Sequence, residues 1–268
     1  MRLPTEGFEP LSSDVDWCEP NYVISPYITE FWNTVSSFPL VIFPPILMYI
    51  HRDYPKNVPN CEAINLVWGL LAVVGLGSIY FHSTLSLVGQ LLDELSILWV
   101  CCGFIAMWMP NAHLPSCLAQ NRWIFQLIML VLGTAATYLS IVRPEVNHVT
   151  LMVFALPAIG YLVHGYGTCP NPTLRHISKT AAALGVASLT CWALDKLLCS
   201  FWLKINFPYF HCFWHVVVLA AICNGCVSYA YCYALEQVPH KNPTLKFRGL
   251  CNNKWIGLWT IEFKKKNF

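Results

Sequence analysis

The stretch Ala63–Leu92, AINLVWGLLAVVGLGSIYFHSTLSLVGQLL, runs for 30 residues without a charged side chain and stops at Asp93 and Glu94. A helix needs about 20 residues to cross the hydrocarbon core of a bilayer, so this run holds one span plus a turn near Ser86–Gly89. Working outward, further uncharged runs occur at Phe31–Ile50, at Leu95–Met109 (extended backwards by Asp93 and Glu94), Trp123–Val142 and Val146–Gly167. Two more are Thr180–Leu198, interrupted by Asp195 and Lys196, and Tyr209–Leu235. None shows the strand-like alternation of an outer-membrane barrel. The expected fold class is an all-α membrane protein, a seven-transmembrane helix bundle.

Composition agrees. Only 11% of the 268 residues are charged and 56% are hydrophobic, with a mean hydropathy of +0.50; a soluble domain carries about 25% charged residues. Too little polar surface remains for a soluble enzyme, and the apolar content excludes a disordered chain. A net charge of +2 gives no basic footprint for nucleic acid. The first 25 residues hold five acids and no apolar core, so no cleavable signal peptide is expected. Seven spans put the termini on opposite sides. With a lumenal N-terminus, twelve Lys and Arg fall on the cytosolic side and four (Arg2, Arg143, Lys196, Lys204) on the other, which satisfies the positive-inside rule. The chain divides into a lumenal segment 1–29, a transmembrane catalytic domain 30–235 and a basic cytosolic tail 236–268.

Ionisable groups in spans are costly to bury and mark function. Span two runs outward to Ser78 and His82, span three starts outside at Asp93, and span seven starts outside at His211 and His215. Parity therefore gathers Ser78, His82, Asp93, His211 and His215 in one leaflet. His211 and His215 stand four apart on one helical face, the spacing that grips a single metal ion, and His82 offers a third nitrogen. Three ligands with a vacant position describe a catalytic zinc; two polar residues satisfied within the bundle are the alternative. Asp195, at similar depth, either orients a metal-bound imidazole, or pairs with neighbouring polar groups or lies at the interface beside Lys196. His51, His113, His148, His164, His176 and His240 read as interface or loop groups.

The N-terminal stretch Asp16-Trp-Cys-Glu19-Pro-Asn21, with Glu30 beyond it, is rich in oxygen donors. It reads either as a calcium loop or as a solvated acidic cap. Of thirteen cysteines, most lie in spans and behave as small hydrophobes. Cys223 and Cys226 have CxxC spacing but read as packing in an apolar helix, whereas Cys18 and Cys199 fall together on the oxidising side as a candidate disulfide.

Together, Asp16-Trp-Cys-Glu-Pro-Asn-Tyr22, Glu30-Phe-Trp-Asn-Thr34, Gly77-Ser-Ile-Tyr-Phe-His-Ser-Thr-Leu85, Gln90-Leu-Leu-Asp-Glu94 and His211-Cys-Phe-Trp-His215 resemble the alkaline ceramidase family in order and spacing. The match runs from about residue 14 to the basic tail. The resemblance implies a membrane amidase that cleaves ceramide to a sphingoid base and a fatty acid, its substrate drawn from membrane lipid. It implies zinc (Zn2+) on His82, His211 and His215, with Ser78 and Asp93 completing the active site. It also implies calcium (Ca2+) on Asp16, Trp17 through its carbonyl, Glu19, Asn21 and Glu30, and a Cys18–Cys199 disulfide. The chain departs from the family pattern at Ser37, where Asn is usual, and at Lys196, where Arg or Asn is common; neither is an expected ligand.

Lys265 and Lys266, the fourth and third residues counted back from the C-terminus, resemble a dilysine retrieval signal or form a basic juxtamembrane tail; either suits the endoplasmic reticulum or Golgi. Two other classes are open to the sequence. One is a zinc-containing seven-span receptor akin to the adiponectin receptors. The other is a transporter, for which internal repeats are the missing sign.

Overall fold

The computed structural model describes residues 6–59, 61, 64–163, 169–249 and 257–263. Among them run α1 (Phe31–Ile50), α2 (Tyr54–Asn57), α3 (Ile64–Thr84), α4 (Leu87–Trp108), α5 (Ser116–Gln120), α6 (Arg122–Val142), α7 (Asn147–Tyr161), α8 (Pro172–Lys204) and α9 (Phe210–Gln237). Six helices, α1, α3, α4, α6, α8 and α9, are long and apolar enough to cross a membrane. The run expected as span five is the fifteen-residue α7; its expected end at Gly167, including His164, lies outside the described residues, as does the Lys265-Lys266 pair.

Apolar side chains face outward while polar ones turn in, the inverse of a soluble protein. On α3, Leu66 and Leu76 are 65% and 57% exposed, whereas Ser78 and His82 on the same helix are 1% and 0% exposed. Burying polar groups away from lipid is what their transfer cost demands. Many hydroxyls satisfy themselves on their own helix: Thr84 donates to Tyr80 O and Thr134 to Leu130 O, the usual back-bond to the preceding turn.

Two glycines let α3 sit between α1 and α4. A Cβ on Gly75 would meet Leu40 C and Val41 N at 2.7 Å, and one on Gly77 would meet Asp93 N at 2.8 Å. Two residues apart on a helix is about 200° of rotation, so the glycines serve opposite faces. Close backbone approach at small residues is a general route to helix association in lipid. The turn into α4 is tight: Leu85 sits at φ 48°, and Ser86 caps α4 by accepting the Gly89 N–H.

Cys223 and Cys226 are free thiols within the core. Beyond α9 the chain adds an element that its charge pattern does not announce. Strands β1 (Thr244–Gly249) and β2 (Gly257–Glu262) pair antiparallel, and the hairpin packs against the bundle end, with Thr260 and Ile261 buried and Phe263 beside Tyr54.

Candidate metal centre

The end of α3 and the starts of α4 and α9 meet at one end of the bundle. His82, His211 and His215 each offer a ligand nitrogen there, all within 4.8 Å of one another, and the three residues are buried. Among the described residues they are the one such group of His, Cys, Asp or Glu atoms. His82 Nε2 and His211 Nδ1 are buried without a hydrogen-bond partner, which buried polar atoms seldom tolerate. The outer nitrogens are held. His82 Nδ1 lies 2.5 Å from Glu30 Oε2, a carboxylate–imidazole pair that fixes tautomer and ring orientation. His215 Nδ1 lies 2.7 Å from Ser36 Oγ; Ser36 donates its own proton to Asn33 O, so it accepts from Nδ1–H and leaves Nε2 with a lone pair. This donor set fits a zinc ion with an open position.

Ser78 and Asp93 stand beside the histidines. Ser78 Oγ is 3.3 Å from His215 Nε2 and 2.9 Å from Ser37 Oγ. Ser37 gives its proton to Asn33 O, so it accepts from Ser78 and holds that hydroxyl in place. Asp93 comes close because Gly77 lets the α3 and α4 backbones touch. Its Oδ1 is buried and unpartnered.

The N-terminal segment closes this end. The Asp195 carboxylate accepts Cys18 N–H at 3.0 Å and His211 N–H at 3.1 Å. It therefore ties the segment to the first turn of α9 and orients no imidazole ring among these bonds, which decides between its two readings. Cys18 and Cys199 are disulfide-bonded. Trp17 is sandwiched, its ring 3.5 Å between centroids from His211 and 4.2 Å from the Lys196 ammonium, while Lys196 donates to Asp16 O. The remaining oxygen donors are neighbours. Trp17 N–H donates to Glu30 Oε1 at 3.0 Å, Asn21 Nδ2 reaches the Asp16 carboxylate at 3.4 Å, and Asn21 Oδ1 is buried with no partner. Glu19 accepts the Trp32 and Asn33 N–H groups, capping α1, whose own N-cap Glu30 makes no cap bond. Burial, with Glu30 nearby, raises the Asp16 carboxyl; burial raises Glu19 and pushes Glu30 up to about 7. Three carboxyls disfavoured as anions beside an orphaned amide oxygen suit a hard cation.

A chamber of about 530 Å³ opens from this cluster between α4, α7, α8 and α9. Asp93, His211 and Trp17 line its polar end, and side chains such as Leu40, Leu71, Ile159 and Leu162 line its depth. Such a space takes long apolar chains with one reactive polar group.

A family profile described as Ceramidase matches residues 9–253. The chain belongs to the alkaline ceramidase family. Drosophila melanogaster alkaline ceramidase is 38% identical over 242 residues, covering 90% of this chain and 85% of that protein. Human alkaline ceramidase 1 is 38% identical over 254 residues, covering 94% and 95%. Caenorhabditis elegans alkaline ceramidase is 30% identical over 204 residues, covering 75% and 74%. Membership in the alkaline ceramidases leaves the adiponectin-receptor alternative without support.

Sequence reading missed several contributors to this ceramidase site. Ser36 and Ser37 look like hydroxyls of an ordinary span, and only the approach of α1 to α3 and α9 makes them partners of His215 and Ser78; Asn33 supports both by accepting their protons on its carbonyl. Ser37 in particular, a departure with no expected role, touches Ser78 directly. Glu30 was expected as a calcium oxygen; it also contacts His82.

Proposed function

We propose that this chain is a zinc-dependent amidase that hydrolyses the N-acyl bond of ceramide within the membrane, supported by calcium. The observation that carries the reading is the buried triad of histidines beside Asp93 at the polar end of an apolar chamber. His82, His211 and His215 would hold zinc; when bound, the ion supplies a Lewis acid that makes a water nucleophilic near neutral pH. Asp93 accepts a proton from the attacking water through its unpartnered Oδ1 and passes one to the departing amine, which is a poor leaving group until protonated. Ser78 turns its hydrogen from Ser37 Oγ to the oxygen on which negative charge develops. Glu30 and Ser36 hold the imidazoles that face them.

Asp16, Glu19, Asn21, Glu30 and the Trp17 carbonyl would hold calcium. That ion braces the N-terminal segment, so Trp17 stays packed on His211. The same reading has seven spans with a lumenal N-terminus and a cytosolic tail, in the endoplasmic reticulum or Golgi. A tag at each terminus with protease protection of microsomes tests the orientation, and a protected C-terminus overturns it.

The deciding measurement is release of free sphingoid base from long-chain ceramide by purified wild type and by His211→Ala. Release by wild type alone is expected. No release from folded wild type sinks the activity, and equal release by His211→Ala sinks the metal site.

A further inference from the structure

Glu94 follows Asp93 on α4, about 100° further round the helix, and reaches α7 while Asp93 stays against α3. Its Oε2 accepts from Gln90 Nε2 at 3.0 Å and from Asn147 Nδ2 at 2.5 Å. Gln90 is itself fixed, taking the Ser13 hydroxyl on its Oε1 at 2.9 Å. Three parts of the chain, the N-terminal segment, α4 and α7, thus pin one carboxyl group. Both donors use the same oxygen. Among the described residues Oε1 has no hydrogen bond, the Lys196 ammonium acts on Glu94 from across the chamber without a salt bridge, and Glu94 lines the chamber next to Asp93.

We propose that Glu94 accepts a hydroxyl of the sphingoid-base half of the substrate and so selects amides whose nitrogen is borne by a hydroxylated chain. The proposal rests on the ceramidase reading. In ceramide the amide nitrogen sits on C2, with one hydroxyl on C1 and another on C3. An amide held at the histidines beside Asp93 brings those hydroxyls to the adjoining wall, where Glu94 is the next polar side chain on α4. Other hydroxyls on the wall are committed: Tyr229 donates to Ala158 O and Ser188 to Gly185 O. A substrate hydroxyl left unpaired here forfeits its hydrogen bonds to water. A substrate without the hydroxyl leaves Oε1 desolvated and unpaired, the situation in which a site built to bond a hydroxyl rejects its analogue most strongly.

The test compares kcat/KM of the full-length protein for ceramide, 1-deoxyceramide and 3-deoxyceramide, in wild type, Glu94→Ala and Glu94→Gln. Wild type should cleave at least one deoxy analogue roughly 100-fold less efficiently than ceramide. Glu94→Ala should lose efficiency on ceramide and on the analogue that keeps the bonded hydroxyl but not on the one that lacks it, so that the ratio for the latter collapses toward one and identifies the bonded hydroxyl. Glu94→Gln keeps the size of the side chain and an oxygen for Gln90 and Asn147, and decides the matter if the alanine variant does not fold. Replacing a charged acceptor by a neutral one should shrink the ratio roughly tenfold. A wild type that ignores both hydroxyls, or variants that slow all three substrates by one factor, overturns the proposal. Failure of wild type to cleave ceramide at all would instead overturn the functional reading beneath it.

Discussion

The two ends of the bundle are built from different materials. At the histidine end, polar side chains of α1 and its N-cap, α3, α8 and α9 bond across helices: Ser37 to Ser78, Ser36 to His215, Glu30 to His82, Asp195 to His211 N–H. At the opposite end, where α1 and α4 finish and α3 begins, the core is aromatic. Trp68, Trp108, Tyr54 and Tyr233 are each at most 2% exposed, and Arg122 reaches back to the last carbonyls of α4 at Ala106 and Met107. His51, expected as a loop group, is buried here and stacks on Trp68. One end gathers histidines, carboxylates and hydroxyls around a ligand-sized set of nitrogens, and the other is filled by large rings, two of which (Trp68 and Trp108) leave their own Nε1 unpartnered. Chemistry and stability are therefore separable by position.

The largest break in that comparison is His215→Ala. Metal content should fall below stoichiometry and kcat/KM should drop by more than about 10³-fold, as is usual for removing a member of a catalytic set. Asp93→Asn should keep the metal and lose about 10²–10⁴-fold in turnover; wild-type activity in that variant would remove Asp93 from the mechanism. At the aromatic end, Trp68→Ala should cost about 3–5 kcal/mol of stability, read by thermal unfolding in detergent, while kcat of the folded fraction holds. A fall in kcat matching His215→Ala would erase the distinction between the ends.

Smaller effects sharpen it. Gly77→Ala forces α3 away from Asp93 N, and a misplacement of that kind costs about 100-fold in rate. Gly69→Ala, on the same helix with nothing within 4 Å of the added carbon, should leave kcat unchanged and add up to about 1 kcal/mol of stability. Tyr54→Phe removes the bond from its hydroxyl to Ala230 O and should cost about 1 kcal/mol, with no change in metal content.

What was legible in the chain follows the same division. Uncharged runs gave the apolar helices because length and transfer cost are one-dimensional properties. Helix parity then brought His82, His211, His215, Ser78 and Asp93 to one depth, where the structure has them together. Depth and face are periodic quantities; a partner on another helix is not. Ser36 and Ser37 became supports of the site through the close approach of α1 to α3 and α9, which no spacing encodes. Asp195 was read at the right depth, but its partners are backbone N–H groups of Cys18 and His211, and backbone amides carry no sequence signature. The expected fifth span is shorter as a described helix, with Pro157 inside it. The hairpin of β1 and β2 went unseen because that tail was weighed for charge. Its exposed positions carry Thr244, Lys246 and Arg248 while Leu245 and Phe247 turn inward, a two-residue rhythm too short to stand out.

The cap over the histidines also sets an order of events in biosynthesis. Cys18 leaves the ribosome 181 residues ahead of Cys199, and two further partners of the stretch around it, Asp195 and His211, are as late, whereas Ser12 and Ser13 find theirs at the α3–α4 turn. At about 5–20 residues per second, the gap is roughly 10–40 s. The stretch around Cys18 completes its docking only when α8 and α9 have been made, so a nascent chain cannot assemble a working centre. Hydrolytic competence arrives only when the final helix does.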